Sequence, residues 1–363
     1  MQRILPRGEI EALDHNTIPR IQLPARDSVF ATRAARLRQL AVDSPVADYL
    51  LLMARLVDAQ QNALRGCNAP PASEDRIALA QAHGMPPLQA VGWPRDPLWR
   101  DILRQLVDEV AGGQDVPAEA LEVCSALRRA LDEDTESLED LAEAVLSEQH
   151  RGVDGAAAPF VMAALQVYWT DLASRFDESS CRWPRPSASA PSAPACRWPA
   201  WCGWGQFEGY RYLCCSLCAT QWHMVRVKCS HCEDVESVAY QAIEGRAPAI
   251  KAETCDRCHT YRKIFYQDKD LHVEPVADDL ASLMLDVLVG EAGYSRASGN
   301  RCCGTAPRRN SHDRVRRRRR HSRARPAAER AGAGRGAGHA WPHAGGGRLA
   351  PAPGRAAAAR PGG

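Results

Sequence analysis

The 363-residue sequence has no apolar run of about 18 or more residues, so no membrane-spanning helix is expected. Its first residues, Met1-Gln-Arg-Ile-Leu-Pro-Arg-Gly-Glu-Ile-Glu, carry charges every few positions and lack the apolar core of an export signal. A cytoplasmic location is therefore expected. There is no G-x-x-x-x-G-K-[ST], G-x-G-x-x-G, H-E-x-x-H or G-x-S-x-G, so the commonest catalytic signatures are missing. Lysine is missing after Asn300: Arg301 to Gly363 holds 16 Arg and two acids, Asp313 and Glu329. The other 300 residues then carry 30 basic against 42 acidic groups. An acidic body neutralises phosphates poorly, which argues against a nucleic-acid partner.

What is present is enough for two or more domains, with 45% hydrophobic and 25% charged residues. Residues 1–176 read as an all-α domain. Apolar residues recur at helical spacing over Val29–Leu37, Pro45–Leu64, Pro97–Val110, Pro117–Leu131, Thr135–Leu146 and Pro159–Phe176. Asp134 stands where a helix cap belongs. Cys67 and Cys124 stand alone and read as small, partly buried residues, and Trp93, Trp99 and Trp169 as packing residues. Between 177 and 205 the texture becomes an irregular Pro/Ser/Ala/Trp-rich stretch, the composition of a linker.

From 206 to 294 β-prone runs (Tyr210–Leu213, Trp222–Val227, Tyr261–Tyr266) alternate with cysteine pairs, and a helical pattern, Val276–Val289, closes the region. Three Cys-x-x-Cys pairs fall here: Cys215/Cys218, Cys229/Cys232 and Cys255/Cys258. Two such hairpins supply the tetrahedral four-sulfur shell that zinc or a rubredoxin-type iron accepts. The Cys232–Cys255 separation suits a zinc ribbon, which makes one complete site. The pair Cys215/Cys218 is left with half a shell, because Cys181, Cys196 and Cys202 upstream form no Cys-x-x-Cys. Cys214 reads as a bystander, and His223, His231 and His259 as surface or neighbouring residues. The fold class expected is α+β: an all-α domain followed by a rubredoxin-like or zinc-ribbon region, and then a disordered Arg/Ala/Gly-rich tail over 301–363.

At these residues a resemblance becomes specific. Arg211-Tyr-Leu-Cys-Cys-Ser-Leu-Cys-Ala-Thr-Gln-Trp-His-Met-Val-Arg-Val-Lys-Cys-Ser-His-Cys232 resembles the formate dehydrogenase accessory protein FdhE family, as do Ala252–Asp270 and Glu274–Ala281. The resemblance implies a cytoplasmic, non-enzymatic maturation factor that binds the formate dehydrogenase catalytic subunit during assembly. It also implies two rubredoxin-like knuckle sites for iron or zinc. The alternative from the residues alone is a Cys-x-x-Cys thiol redox protein or metallochaperone. The family has a Cys-Pro-x-Cys pair upstream of Cys215 that this sequence lacks. The compositions of 180–205 and 301–363 fit the hypothesis of a GC-rich gene read out of frame, and such a shift would account for the missing pair; an unbroken reading frame encoding this chain would sink that hypothesis. Elemental analysis should accordingly find about one tightly bound metal per chain; two would make Cys196 or Cys202 a ligand.

Overall fold

The computed structural model describes residues 19–83, 87–147, 153–176, 200–202, 209–245, 247–297 and 349–351. Its most apolar long helix is the segment Ala158–Ser174, APFVMAALQVYWTDLAS, in which residues 158–173 are buried except Pro159. A helix apolar on all sides needs neighbours on all sides. In chain order the helices are α1 (Val29–Ala41), α2 (Ala47–Gly66), α3 (Glu74–Ala82), α4 (Leu98–Ala111), α5 (Ala118–Glu133), α6 (Thr135–Leu146) and the central α7 (Ala158–Ser174). Helices α2, α4 and α6 pack on α7.

All six helical patterns read from the sequence contain a helix, and α3 is additional. Among the described side chains of α3 only Ala80 is buried, so its sequence carries no apolar stripe to read. Asp134 caps α6 as expected: its carboxylate accepts the Ser137 N–H at 3.1 Å and the Ser137 hydroxyl at 2.7 Å. Those two bonds hold the Asp134 carboxyl below the usual carboxylate range. Trp99 and Trp169 are wholly enclosed, Trp93 nearly so, and Cys67 and Cys124 are buried.

The strands are β1 (Ile21–Gln22), β2 (Ala200–Cys202), β3 (Arg211–Cys214), β4 (Gln221–Met224), β5 (Val238–Ile243), β6 (Ile250–Cys255), β7 (Thr260–Tyr266), β8 (Ser295–Arg296) and β9 (Leu349–Pro351). They form one sheet in the order β1-β4-β3-β2-β7-β6-β5-β9, with β8 beside β7. Pairing is antiparallel except for β2 with β7 and β8 with β7. The fold is therefore α+β.

Three details depart from the expected layout. The stretch expected to be irregular supplies β2, which joins the β1-β4-β3 half of the sheet to the β7-β6-β5 half. Ladder bonds come from the backbone, so a strand can form there without a β-prone sequence. The expected tail supplies β9 on the free edge of β5, where unpaired backbone groups accept another strand. The rest of 177–199, 203–208 and 301–363 lies outside the described residues. The closing helix is two: α8 (Pro275–Ala281) and α9 (Leu283–Glu291). At the break the Lys263 ammonium takes the carbonyls of Asp279 and Ser282, and the Ser282 hydroxyl donates to Asp278 O at 2.6 Å, so these carbonyls are drawn to partners outside the regular helical ladder.

The core is continuous from Phe30 to Leu280, uniting α1, α2, α4 and α7 with Leu213, Cys215, Leu217, Trp222 and Ile264 of the sheet region. Buried ion pairs fasten α1 to the chain around α8. Arg33 donates to Glu274 at 3.1 Å, and Arg36 grips both oxygens of Asp278 at 2.9 and 2.7 Å while also reaching Asp270 at 2.6 Å. Asp278 is fully enclosed, so losing its partner strands a buried charge. Arg36→Ala should lower unfolding free energy by about 3–5 kcal/mol in a denaturant titration, whereas an exposed pair would give under about 1 kcal/mol.

Candidate metal centre

Each Cys-x-x-Cys pair folds into the same tight knuckle. The residue after the second cysteine takes a left-handed backbone: Ala219 (φ 56°), Glu233 (φ 64°) and His259 (φ 52°). Its N–H returns to the carbonyl of the first cysteine at 3.0, 3.0 and 2.9 Å respectively. The first cysteine's own N–H bonds five residues on, Cys215 to Thr220 O and Cys229 to Asp234 O, both at 2.8 Å. Backbone N–H groups inside the turn then face sulfur: Leu217 and Cys218 N to Cys215 Sγ, and His231 N to Cys229 Sγ, all at 3.4 Å. Such N–H···S contacts stabilise a thiolate more than a thiol, which is what a metal ligand requires.

The β6–β7 hairpin carries Cys255 and Cys258 at its tip, and the link from β4 to β5 carries Cys229 and Cys232. These four converge. Cys229 Sγ lies 3.7 Å from Cys258 Sγ, Cys232 Sγ lies 3.6 Å from Cys255 Sγ, and all four sulfurs sit within 4.8 Å of one another. A tetrahedron with metal–sulfur bonds of about 2.3 Å has edges of about 3.8 Å, so the shell fits one zinc or iron ion. Burial pushes the Cys229 thiol up and the Cys255 thiol to about 12. Burial would also raise Cys258, but the Thr260 hydroxyl, 3.0 Å from its sulfur, and the neighbouring cysteines hold it below the ordinary thiol value.

Cys215 and Cys218 stand apart from this shell and gather no third ligand among the described residues. Their knuckle is bound to the helices instead. Gln166 of α7 donates to Ser216 O at 2.7 Å and accepts from Gln60 at 2.9 Å, all three residues being buried. The hydrogen bond with Cys215, and then burial, push the Cys218 thiol well above its ordinary value. Of the upstream candidates Cys181, Cys196 and Cys202, Cys202 is described: it is opposite Arg211, at the far end of β3 from this knuckle. Cys181 and Cys196 lie outside the described residues. Cys214 is buried, with its thiol pushed up to about 12 by desolvation.

Thr220 and Thr260, whose hydroxyls contact the second cysteine of their knuckles, went unread in the sequence, as did the buried arginines Arg211 and Arg262. A threonine two positions after each of these pairs was the available signal. A further oddity borders the site: Val227, β-branched, is held at φ 58°, a conformation that costs about 1–3 kcal/mol.

Three family models match in chain order: FdhE, N-terminal, over 18–184; FdhE, central domain, over 194–226; and FdhE, C-terminal domain, over 227–302. The chain belongs to the FdhE family. It is 38% identical over 302 residues to the Protein FdhE homolog of Cronobacter sakazakii, an alignment covering 82% of this chain and 96% of that protein. With Protein FdhE of Escherichia coli K12 the identity is 37% over the same length and coverage. The crystal structure of the FdhE protein from Pseudomonas aeruginosa superposes with a TM-score of 0.66 at 37% identity, covering 80% of this chain and 100% of that one. The FdhE matches end at residue 302, short of β9. No described helix is long and apolar enough to cross a membrane.

The left-handed residue gives a test of the knuckle. Glu233→Gly should preserve metal binding, since glycine adopts φ 64° without strain. Glu233→Pro fixes φ near −65° and removes the N–H that bonds Cys229 O, so it should abolish tight binding in a metal titration.

Proposed function

We propose that this chain is a non-enzymatic accessory factor required for formate dehydrogenase activity, which binds the dehydrogenase catalytic subunit during its assembly in the cytoplasm. Membership of the FdhE family supports this reading. In it, Cys229, Cys232, Cys255 and Cys258 hold one iron or zinc ion. A closed four-sulfur shell leaves no open coordination position, so the ion's contribution is to fold and rigidify the region. Cys215 and Cys218 offer half a shell, and the chain holds about one tight metal.

The competing reading, a dithiol redox protein, requires an accessible cysteine with a depressed thiol value. Cys215 and Cys218 are buried, and the Cys218 thiol is shifted the other way; Cys258, whose thiol is held low, stands inside the four-sulfur shell, 3.7 Å from Cys229 Sγ.

The test is complementation of a bacterium deleted for its own FdhE. The chain should restore dye-linked formate dehydrogenase activity and co-purify with the catalytic subunit. Cys229→Ser and Cys258→Ser should each lose about one metal per chain and the restored activity. Failure of the wild-type chain to restore activity, or unchanged metal content in both variants, would sink the corresponding half of the proposal.

A further inference from the structure

Two arginines are enclosed beside the cysteine shell. Arg211 on β3 is 0% exposed and Arg262 on β7 is 6% exposed. They reach the Cys229 knuckle from its two flanks. Arg211 Nη1 donates to Lys228 O at 3.0 Å, immediately before Cys229, and Arg262 Nε donates to Ser230 Oγ at 2.7 Å, immediately after it. The other arm of Arg211 is tied to Glu253 at 2.8 Å, whose second oxygen accepts the Tyr240 hydroxyl at 3.3 Å. Glu253 stands opposite Arg262 in the β6–β7 ladder, so both guanidiniums share its neighbourhood.

Enclosing a guanidinium is costly unless negative charge lies close. Glu253 is one source of such charge in this pocket. The cysteine shell is a second: burial and then repulsion from Arg211 pull the Arg262 guanidinium down to about 9, and Glu253 and, more weakly, Cys229 oppose that shift. Four thiolates around a divalent ion leave about two net negative charges, and around a ferric ion about one. In a water-poor site that surplus raises the free energy of the loaded state and favours protonated, released cysteines. A planar guanidinium also spreads its charge while holding a fixed hydrogen bond.

We propose that Arg211 and Arg262 are the counter-charges of the metal-loaded cysteine shell: buried positioning residues that clamp the Cys229 knuckle and stabilise its thiolates. This rests on the reading of Cys229, Cys232, Cys255 and Cys258 as a four-thiolate centre. The clamp also grips the chain at Lys228, next to the strained Val227, and so holds the ligand in a backbone geometry that it would otherwise leave.

The test is anaerobic titration of the full-length metal-free chain with Co2+, whose visible bands report four-sulfur coordination. Arg262→Gln keeps an amide donor for Ser230 and removes the charge; Arg262→Lys keeps the charge. Arg262→Gln should weaken Co2+ binding by about 10- to 100-fold, the usual effect of removing a partner outside the ligand shell. Arg262→Lys should recover most of that loss, which a residue needed only for packing would not do. Equal affinities for wild type and Arg262→Gln, or equal losses for Gln and Lys, would overturn the proposal. If Arg262→Gln loses its far-ultraviolet dichroism, the same pair of substitutions at Arg211 decides. Absence of four-sulfur bands in the wild-type chain would instead remove the four-thiolate reading itself, before any variant is compared.

Discussion

A helix that is apolar all the way round exists in water only when enclosed, and α7 places that condition on everything near it. Helices α2, α4 and α6 cover it from within the bundle. Its one buried amide, Gln166, extends to the Cys215–Cys218 knuckle and finds its own support in Gln60. Asp171, also enclosed, receives Arg26 and Arg175 and the N–H of Ala69. Burying these polar groups is tolerable because each has partners, and apart from Arg175 the partners come from distant parts of the chain. The helix thus fixes both the bundle and the first knuckle.

The knuckles themselves are a single local solution used three times. Two thiols three residues apart face one point only if the chain reverses sharply. The reversal needs a left-handed residue, and here it falls on Ala219, Glu233 and His259 rather than on glycine. What differs is the company each knuckle keeps. Those of Cys229 and Cys255 meet across the end of the sheet, because the β6–β7 hairpin and the β4–β5 link bring them to one place. The knuckle of Cys215 faces the helices and meets no second pair among the described residues.

Much of this was legible from the residues. The bundle helices announced themselves because a half-buried helix repeats its apolar positions, as α4 does with Trp99, Ile102, Leu103, Leu106, Val107 and Val110. The cysteine pairs were visible because ligand geometry constrains spacing directly. Other features left no periodic trace. At two residues, β1 is too short to alternate. In β5 most residues are only partly buried, so its faces are weakly distinguished. The arginines at 211 and 262 were hidden for a different reason: a charged residue in a strand normally marks the solvent face. Only the cross-strand neighbours, Glu253 and the Cys229 turn, make an interior place for them.

One pairing governs the order of events as the chain is made. Strand β1 is near the beginning, yet its partner is β4, with Ile21 opposite Trp222. Likewise Arg33 and Arg36 of α1 wait for Glu274 and Asp278. At synthesis rates of about 5–20 residues per second, the interval is on the order of ten to forty seconds. Once α7 has emerged all the bundle helices are present, but the seam that α1 shares with the later segment has no partner until residues 274–278 follow. Contacts so distant in sequence make the last closure slow compared with helix formation. The cysteines of the four-sulfur shell emerge just before that closure. The four cysteines of the shell and the acids that seal the helical half therefore emerge within the same late stretch of the nascent chain.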